Sequence, residues 1–553
     1  MPPFVREFLP ILIAAFLTGG VGYGVESIPS TLTPGITVST KDEPLVAGAF
    51  SPSWESLGQY RTPDWFRDAK FGIWAHWGPQ CQPEDGDWYA REMYLDGSGQ
   101  NRFHTDHFGS PSTYGFKDVI HDWHARNWDP KKLLALYKRA GAHYFFALAN
   151  HHDNFDLWDS KYQPWNSVRV GPKKDLIGGW AAAARENGMK FGVSVHASHA
   201  WSWYEPSQRY DGKLSKTDGT GQWWEGLDPQ DLYAQNHDPS PGFTNGSSIH
   251  GRWNWSNGVC TPDQAYCDKF YNRTMDLIKK YRPDLIYFDD TALPLWPVSD
   301  AGLDIAANFY NLSSEWHGGT NEAVLFGKIL NADQLKCMAW DIERGVSNRI
   351  ETQPWQTDTC IGGWHYDRGL YEKNRYKSAE TVIRMLADIV SKNGNLLLNI
   401  PVRGDGTIDE KELAVVRGIG DWMEVNNEAI FATRPWRVFG EGPASDGAPL
   451  SSQGFNEGRG RPFTAEDIRF TAGKDGKALY AIVLGWPDKP LQVKSLGSST
   501  GLLGIPIKSV SLLGSADKVQ WTQNGEALVI QPPQAKRGPV AAAAVFKITG
   551  DWK

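Results

Sequence analysis

Four histidines and one aspartate each follow an apolar segment of the chain. His76 follows KFGIWA, His151 and His152 follow HYFFALAN, His196 follows KFGVSV, and Asp289 follows LIYF. A carboxylate at the end of a rigid strand can act as a nucleophile, and imidazoles can hydrogen-bond a polyhydroxylated ligand. Taken singly, Asp289 is equally explained as a helix N-cap or an ion-pair partner, and each histidine as a structural imidazole. Their common placement favours one shared site.

Tryptophan is abundant and often lies beside glycine, aspartate or histidine. The sequence contains 26 Trp. Flat aromatic faces bury the apolar C–H surface of sugar rings and leave the hydroxyl groups free to hydrogen-bond. Trp88 in GDWY and His76 in HWG fit such a pocket. Because tryptophan is more often a core residue, this content favours a carbohydrate ligand only modestly.

A second carboxyl group is needed if Asp289 attacks a sugar. Glycosidases use one as general acid and base, about 5 to 5.5 Å from the nucleophile when configuration is retained. Glu343, in WDIERG, is the first choice and Glu351 the second. Each candidate is otherwise explained as a surface charge or a loop ion pair. The full set of downstream candidates is Asp341, Glu343, Glu351 and Asp358.

A metal site is the alternative explanation for His151, His152 and Asp153. Neighbouring side chains diverge, and no HExxH motif or spaced Cys/His partner completes a closed site. Hydrogen bonding to hydroxyl groups is the better explanation, so no metal is predicted. The five cysteines lack a CxxC spacing, and a local bridge between Cys260 and Cys267 is a hypothesis.

Strand-like and helix-like segments alternate from about residue 65 onward. The strands are continuously apolar, which is typical of a parallel sheet covered by helices. Several polar strand ends favour an α/β fold of the (β/α)8-like TIM barrel type over an open doubly wound sheet with one crevice. The predicted strands are 70–76, 143–150, 190–196, 285–289 and 395–400, and the predicted helices are 130–140, 177–187, 271–281 and 410–427.

Two regions outside this alternation complete the predicted architecture. Residues 198–262 are a long insertion, and its aromatic density predicts an ordered rim over the pocket. After residue 436 the pattern changes to short β-rich runs at 478–484, 504–513 and 527–530. We therefore predict a linker at 31–55, a catalytic barrel over 56–436 and a C-terminal β-sandwich over 437–553.

The charge balance and the N-terminus bear on partners and location. A formal net charge of −8 with interleaved acids and bases offers no basic stripe for nucleic acid. The apolar run at residues 8–17 follows a single Arg6 and is shorter than the roughly 20 residues of a membrane span. Residues 1–30 are predicted to be a signal peptide, which implies a secreted or periplasmic protein with no membrane span after its removal. An uncleaved anchor or a misassigned start is the alternative, and oligomeric state is not predicted.

Five sequence blocks occur in a specific order between about residue 60 and residue 436. They are WFRDAKFGIWAHWG at 65–78, AGAHYFFALANHHDNFDLWDS at 140–160, WNSVRVGPKKD at 165–175, PDLIYFD at 283–289 and NGNLLLNIPVRGDGTI at 393–408. Together they resemble the α-L-fucosidases of glycoside hydrolase family 29. The resemblance implies a catalytic barrel followed by a β-sandwich, and double displacement on terminal α-L-fucosides.

The resemblance also implies roles for individual residues. Asp289 matches the family nucleophile at the end of a PDLIWFDG-like block. His76 matches a fucose-contacting histidine, and His151 and His152 match the paired histidines that hold ring hydroxyls. Trp88 matches the Trp of the family's GEWY block.

Four positions depart from the family pattern or vary within the family. His196 stands where the family often has Tyr or Ser, although we include it among the substrate-binding residues. Asp87, also expected to contact the sugar, stands where many members have the longer Glu. Asp290 replaces the usual Gly after the nucleophile. The acid/base varies in position within the family, so Glu343 rests on the local WDIERG block.

The predicted activity is that of a retaining exo-glycosidase acting on fucosylated glycans without a cofactor. Asp289 attacks the anomeric carbon while Glu343 protonates the leaving oxygen, and Glu343 then activates water. One alternative is another barrel glycosidase, such as an α-galactosidase-like enzyme, because fold alone does not separate the two. The other is a non-catalytic fucose-binding protein. The sequence does not specify the fucosyl linkage.

Overall fold

The computed structural model describes residues 26–245, 253–445, 447–450, 454–532 and 541–550. Of the signal peptide predicted at 1–30, residues 1–25 lie outside this described part. Among the described residues, no helix has the length and apolar character that crossing a membrane requires.

Eight parallel strands close into a barrel, which confirms the predicted TIM-barrel fold. All strand residues except Lys190 and Trp340 are buried, because one face of each strand meets the barrel interior and the other meets the surrounding helices. The strands are β1 (Phe71–Ala75), β2 (Tyr144–Asn150), β3 (Lys190–Val195), β4 (Leu285–Phe288), β5 (Val324–Gly327), β6 (Ala339–Asp341), β7 (Trp355–Cys360) and β8 (Gly394–Asn399).

Most of the longer helices begin at residues whose side chains cap the first turn. Asp175, Asp263 and Ser378 each accept a hydrogen bond from a backbone N–H three residues on. The helices are α1 (Trp54–Leu57), α2 (Asp64–Ala69), α3 (Tyr89–Glu92), α4 (Gly99–Phe108), α5 (Phe116–Asp122), α6 (Pro130–Arg139), α7 (Leu176–Glu186), α8 (Ala200–Trp203), α9 (Pro229–Tyr233), α10 (Gln264–Tyr281), α11 (Ala301–Trp316), α12 (Arg368–Glu372), α13 (Ala379–Ser391) and α14 (Glu410–Asn426).

The insertion at 198–262 contains α8, α9 and several 3-10 turns within its described residues. The disulfide hypothesis for this region is wrong, because Cys260 and Cys267 are both free thiols. Cys260 Sγ accepts a hydrogen bond from Trp201 Nε1 at 3.4 Å, whereas Cys267 lies on the buried face of α10. The two thiols therefore belong to different packing environments.

Two antiparallel sheets follow the barrel and share one apolar core, which confirms the predicted β-sandwich. The larger sheet has the order β13-β16-β11-β10-β9 and the smaller one β12-β15-β14. Their strands are β9 (Thr433–Glu441), β10 (Ile468–Gly473), β11 (Leu479–Val483), β12 (Leu491–Val493), β13 (Ile507–Leu512), β14 (Trp521–Gln523), β15 (Leu528–Ile530) and β16 (Ala544–Gly550).

Candidate active site

A cavity of about 470 Å³ opens at the carboxyl end of the barrel. Most of its lining residues lie at or after the ends of strands β1 to β7. Trp253 comes from the insertion, and Phe455 comes from the region after β9. The lining residues are Trp74, His76, Asp87, Trp88, Glu92, His151, His196, Trp253, Tyr287, Asp289, Asp290, Lys328, Ile329, Glu343, Arg344, Asp358, Trp364, His365 and Phe455. Independent strand ends thus converge on one pocket, as parallel-barrel geometry requires.

Asp289 is fixed by three basic side chains. Its Oδ2 lies 3.0 Å from His152 Nε2 and 3.1 Å from His196 Nδ1, and its Oδ1 accepts a hydrogen bond from Lys328 Nζ. Burial opposes ionisation of this carboxyl, but the Lys328 charge and the two imidazoles outweigh it and hold the pKa of Asp289 well below its usual range. Asp289 is therefore an ionised and immobilised carboxylate.

Lys328 connects Asp289 to the carboxyl group of Glu343. Lys328 Nζ also donates to Glu343 Oε2 at 2.7 Å. Because both carboxylate oxygens contact one nitrogen, they lie within about two hydrogen-bond lengths of each other, roughly 5.5 Å. Burial and the nearby Asp289 raise the pKa of Glu343, although Lys328 acts in the opposite direction. The pair thus joins a strongly acidic carboxyl to one that retains its proton more readily.

The other sequence candidates for the acid/base lie in different environments. Glu351 does not line the cavity, and its Oε1 accepts hydrogen bonds from Ser347 Oγ at 2.7 Å and Arg349 Nε at 3.0 Å. Asp341 is buried and accepts a hydrogen bond from the Gln356 amide, and burial raises its pKa to about 7. Asp358 lines the cavity, and its burial and the nearby carboxyls of Asp341 and Glu343 raise its pKa well above its usual range.

The histidines form a compact wall of neutral imidazoles. Both ring nitrogens of His76 are buried and have no hydrogen-bond partner among the described residues. Its ring centroid lies 5.2 Å from that of His151 and 5.0 Å from that of His196. Burial lowers the pKa of His76 and His151 well below the usual value. Neutral imidazoles can donate through one nitrogen and accept through the other, which suits the hydroxyl groups of a sugar.

The same histidine nitrogens are also spaced closely enough to hold a metal ion. One potential ligand atom from each of His76, His151 and His196 lies within 4.8 Å of the others, and the same is true for His152, His196 and Asp289. The reaction proposed below does not use a metal.

The predicted residues Asp87 and Trp88 also lie in the cavity wall. Asp87 Oδ1 accepts a hydrogen bond from the backbone N–H of His365 at 2.6 Å. The aspartate side chain, shorter than the Glu of many family members, therefore holds the loop after β7. The Trp88 ring stacks on Trp253 from the insertion at a centroid distance of 6.2 Å. The insertion therefore contributes to the rim of the pocket.

Lys328 and His365 are two of the pocket residues that were not predicted from the sequence. Lys328 follows β5, a four-residue strand that the sequence pattern does not reveal. The His365 ring lies 4.8 Å from His76 and 4.9 Å from His151, between ring centroids. Both follow strands that were not predicted, so the strand-end argument could not reach them.

A closed parallel barrel with a paired ionised and protonatable carboxyl group, neutral imidazoles and aromatic rings at its carboxyl end defines a site of the glycoside hydrolase class. Comparison with protein families gives a finer result. Residues 37–428 match the family described as alpha-L-fucosidase, and residues 461–549 match the alpha-L-fucosidase C-terminal domain. The chain belongs to the alpha-L-fucosidase family of glycoside hydrolases, which confirms the family resemblance of the sequence blocks.

Individual relatives agree with this assignment. The chain is 26% identical over 527 residues to tissue alpha-L-fucosidase of Rattus norvegicus, covering 90% of this chain and 92% of the relative. It is 26% identical over 509 residues to plasma alpha-L-fucosidase of Homo sapiens, covering 88% and 89%.

Solved structures share the fold. The Thermotoga maritima alpha-fucosidase in complex with fucose superposes with a TM-score of 0.64 at 24% identity, covering 90% of this chain and all of the other. A Bacteroides thetaiotaomicron alpha-L-fucosidase, solved as a trapped covalent intermediate, gives a TM-score of 0.57 at 17% identity and covers 91% and 98%.

Proposed function

We propose that this protein hydrolyses terminal α-L-fucosyl residues of fucosylated glycans by double displacement with retention of configuration. The observation that carries the proposal is the Asp289 and Glu343 pair bridged by Lys328 inside the barrel cavity. Because both groups contact Lys328 Nζ, their oxygens lie no more than about 5.5 Å apart. This limit is compatible with the spacing of retaining enzymes, about 5 to 5.5 Å, and is below the roughly 6.5 to 9.5 Å of inverting enzymes.

The two carboxyl groups divide the chemistry between them. The ionised Asp289 attacks the anomeric carbon, and the proton of Glu343 passes to the glycosidic oxygen as the bond to the leaving group breaks. Glu343 then takes a proton from water, whose oxygen attacks the anomeric carbon and displaces Asp289. The low pKa of Asp289 and the raised pKa of Glu343 support these assignments.

The imidazoles and aromatic rings bind the fucosyl ring in this proposal. His76 and His151 hydrogen-bond its hydroxyl groups, because the His76 nitrogens are buried without a protein partner among the described residues. Trp74 and Trp364 supply apolar walls, with ring centroids 4.8 and 5.6 Å from that of His76. The trapped covalent intermediate described for the Bacteroides thetaiotaomicron enzyme supports an enzyme-linked sugar in this fold.

Hydrolysis of matched aryl glycosides tests the activity. We expect release of 4-nitrophenol from the α-L-fucoside and not from the α-D-galactoside, and the first fucose product seen by proton NMR to be the α anomer. An initial β anomer would contradict the double displacement. Galactoside cleavage would favour the α-galactosidase-like alternative, and fucose binding without any turnover would favour the non-catalytic alternative.

We propose in addition that the protein acts outside the cytoplasm, on the basis of the apolar run at residues 8–17. N-terminal sequencing of protein recovered from the medium or periplasm tests this. We expect a mature N-terminus beyond residue 17, and a cell-retained protein that keeps its first residues would contradict it.

A further inference from the structure

A short segment from the region after β9 pairs with the loop that carries Glu343. Within this segment, residues 454–457, the Phe455 N–H donates to Glu343 O at 2.7 Å and the Glu457 N–H donates to Arg344 O at 2.9 Å. The Asn456 side chain accepts the Val346 N–H at 2.7 Å and donates to Val346 O at 2.9 Å. The segment and the Glu343 loop therefore form one backbone-bonded unit.

This pairing is close and is anchored on both sides. A Cβ atom at Gly454 would lie 2.4 Å from Glu343 O, so only glycine permits the approach. The Glu457 carboxylate accepts hydrogen bonds from Thr359 Oγ1 at 2.7 Å and pairs with Lys377 Nζ at 2.7 Å. These contacts fix the position of the residue between Gly454 and Asn456.

That residue is a phenylalanine, and it belongs to none of the apolar clusters formed by the described residues. The Phe455 side chain is 46% exposed and lines the cavity. Its φ of +49° is in the left-handed region, which is costly for a bulky residue. Arg344, with a φ of +45°, lies in the same wall next to Glu343. Unusual backbone conformations of this kind concentrate at ligand sites.

We propose that Phe455 and Arg344 form the subsite for the leaving-group sugar, an inference that rests on the proposed function. The general acid Glu343 must contact the glycosidic oxygen, so the ring beyond that oxygen lies beside the immediate neighbours of Glu343. The Phe455 ring covers the apolar C–H face of that pyranose. The Arg344 guanidinium, 3.7 Å from Glu457 Oε2, donates to its hydroxyl groups.

Two substrates with different leaving groups separate this role from a structural one. The departing atom of α-L-fucosyl fluoride is too small to reach Phe455, whereas a fucosylated disaccharide presents a full pyranose. We expect Phe455→Ala to lower kcat/KM for the disaccharide about tenfold and to leave kcat/KM for the fluoride within about twofold. Phe455→Trp keeps the disaccharide activity, because it retains an aromatic face.

Phe108→Ala is the matched control, because Phe108 is also exposed, at 38%, and does not line the cavity. Equal losses on both substrates, or no loss on either, would overturn the subsite and leave the proposed function intact. A wild-type enzyme inactive on the fluoride would overturn the proposed function and the subsite with it.

Discussion

At the scale of single residues, one ammonium group connects two carboxyl groups that have opposite tasks. Lys328 acts to lower the pKa of both carboxyl groups. At Asp289 the imidazoles reinforce this effect and the pKa falls. At Glu343 burial and the Asp289 charge oppose it and the pKa rises. The sequence predicts one shared site for Asp289 and the four histidines, because each follows a recognisable apolar strand. Asp289, His76, His151 and His196 line the cavity, whereas His152 contacts Asp289 without lining it. It cannot reveal Lys328, since a lone lysine has many ordinary explanations.

Replacement of Lys328 by Met tests its electrostatic role. Asp289 acts above its pKa and sets the acid limb, while Glu343 acts below its pKa and sets the alkaline limb. Loss of the cation raises both pKa values, so both limbs of the kcat/KM profile move to higher pH. We expect this shift in Lys328→Met together with a loss of activity of at least about tenfold. Lys328→Arg is the charge-preserving control. An unshifted profile in Lys328→Met would contradict the arrangement.

Replacement of Glu343 by Ala tests the acid/base. We expect kcat/KM on an unactivated fucoside to fall by about 10² to 10⁴. Turnover of an aryl fucoside should be restored by azide, with the α-fucosyl azide as product, because azide attacks the glycosyl-enzyme in place of activated water. Glu351→Ala is the control, since Glu351 lies outside the cavity, and it should remain active. Loss of activity in Glu351→Ala with azide rescue would reverse the assignment.

At the scale of secondary-structure elements, long apolar strands are predictable and short or polar ones are not. The predicted strand 285–289 corresponds to β4, but β6 has only three residues and β7 has the polar sequence WQTDTC although all of it is buried. The predicted helix 271–281 begins seven residues too late, because its N-cap Asp263 precedes a first turn of mixed polarity. Barrel closure buries these strands through contacts between residues that are distant in sequence, so the local sequence pattern does not indicate their burial.

A buried ion pair holds the loop after β2, which carries His151 and His152, against α10. Arg273 donates to both carboxylate oxygens of Asp156, at 2.5 and 3.1 Å, and neither side chain is more than 3% exposed. We expect Arg273→Met to lower the free energy of unfolding by about 3 to 5 kcal/mol, because Asp156 loses its counter-charge.

Urea denaturation followed by tryptophan fluorescence measures this change. The matched control is Lys131→Met, which breaks an exposed pair with Glu186 and should cost less than about 1 kcal/mol. A cost for Arg273→Met as small as that of the control would show that the pair does not support the loop.

At the scale of the whole molecule, the barrel and the β-sandwich share packing. Tyr480 and Ile482 belong to the same apolar cluster as barrel residues, and Trp422 Nε1 of α14 donates to Ala543 O at 3.0 Å. The buried Arg469 of β10 donates to Asp388 of α13 at 2.6 Å. The sequence indicates two regions from their different element patterns, but it does not show that one interface joins them.

Calorimetry tests this shared packing. We expect a single unfolding transition for the intact protein, because separation of the sandwich exposes apolar surface of the barrel. Arg469→Met should lower the midpoint of that one transition without dividing it. Two resolved transitions in the unmodified protein would contradict a common core.

The formation of an ester between Asp289 and the sugar, in the cavity that the imidazoles line, is the central step of the proposed mechanism. Its most direct test is incubation with 2-fluoro-α-L-fucosyl fluoride, followed by proteolysis and tandem mass spectrometry of the labelled peptide. We predict a single fluorofucosyl group on Asp289, and none after incubation of Asp289→Asn. A label on Glu343, Asp290 or any other side chain would contradict the account.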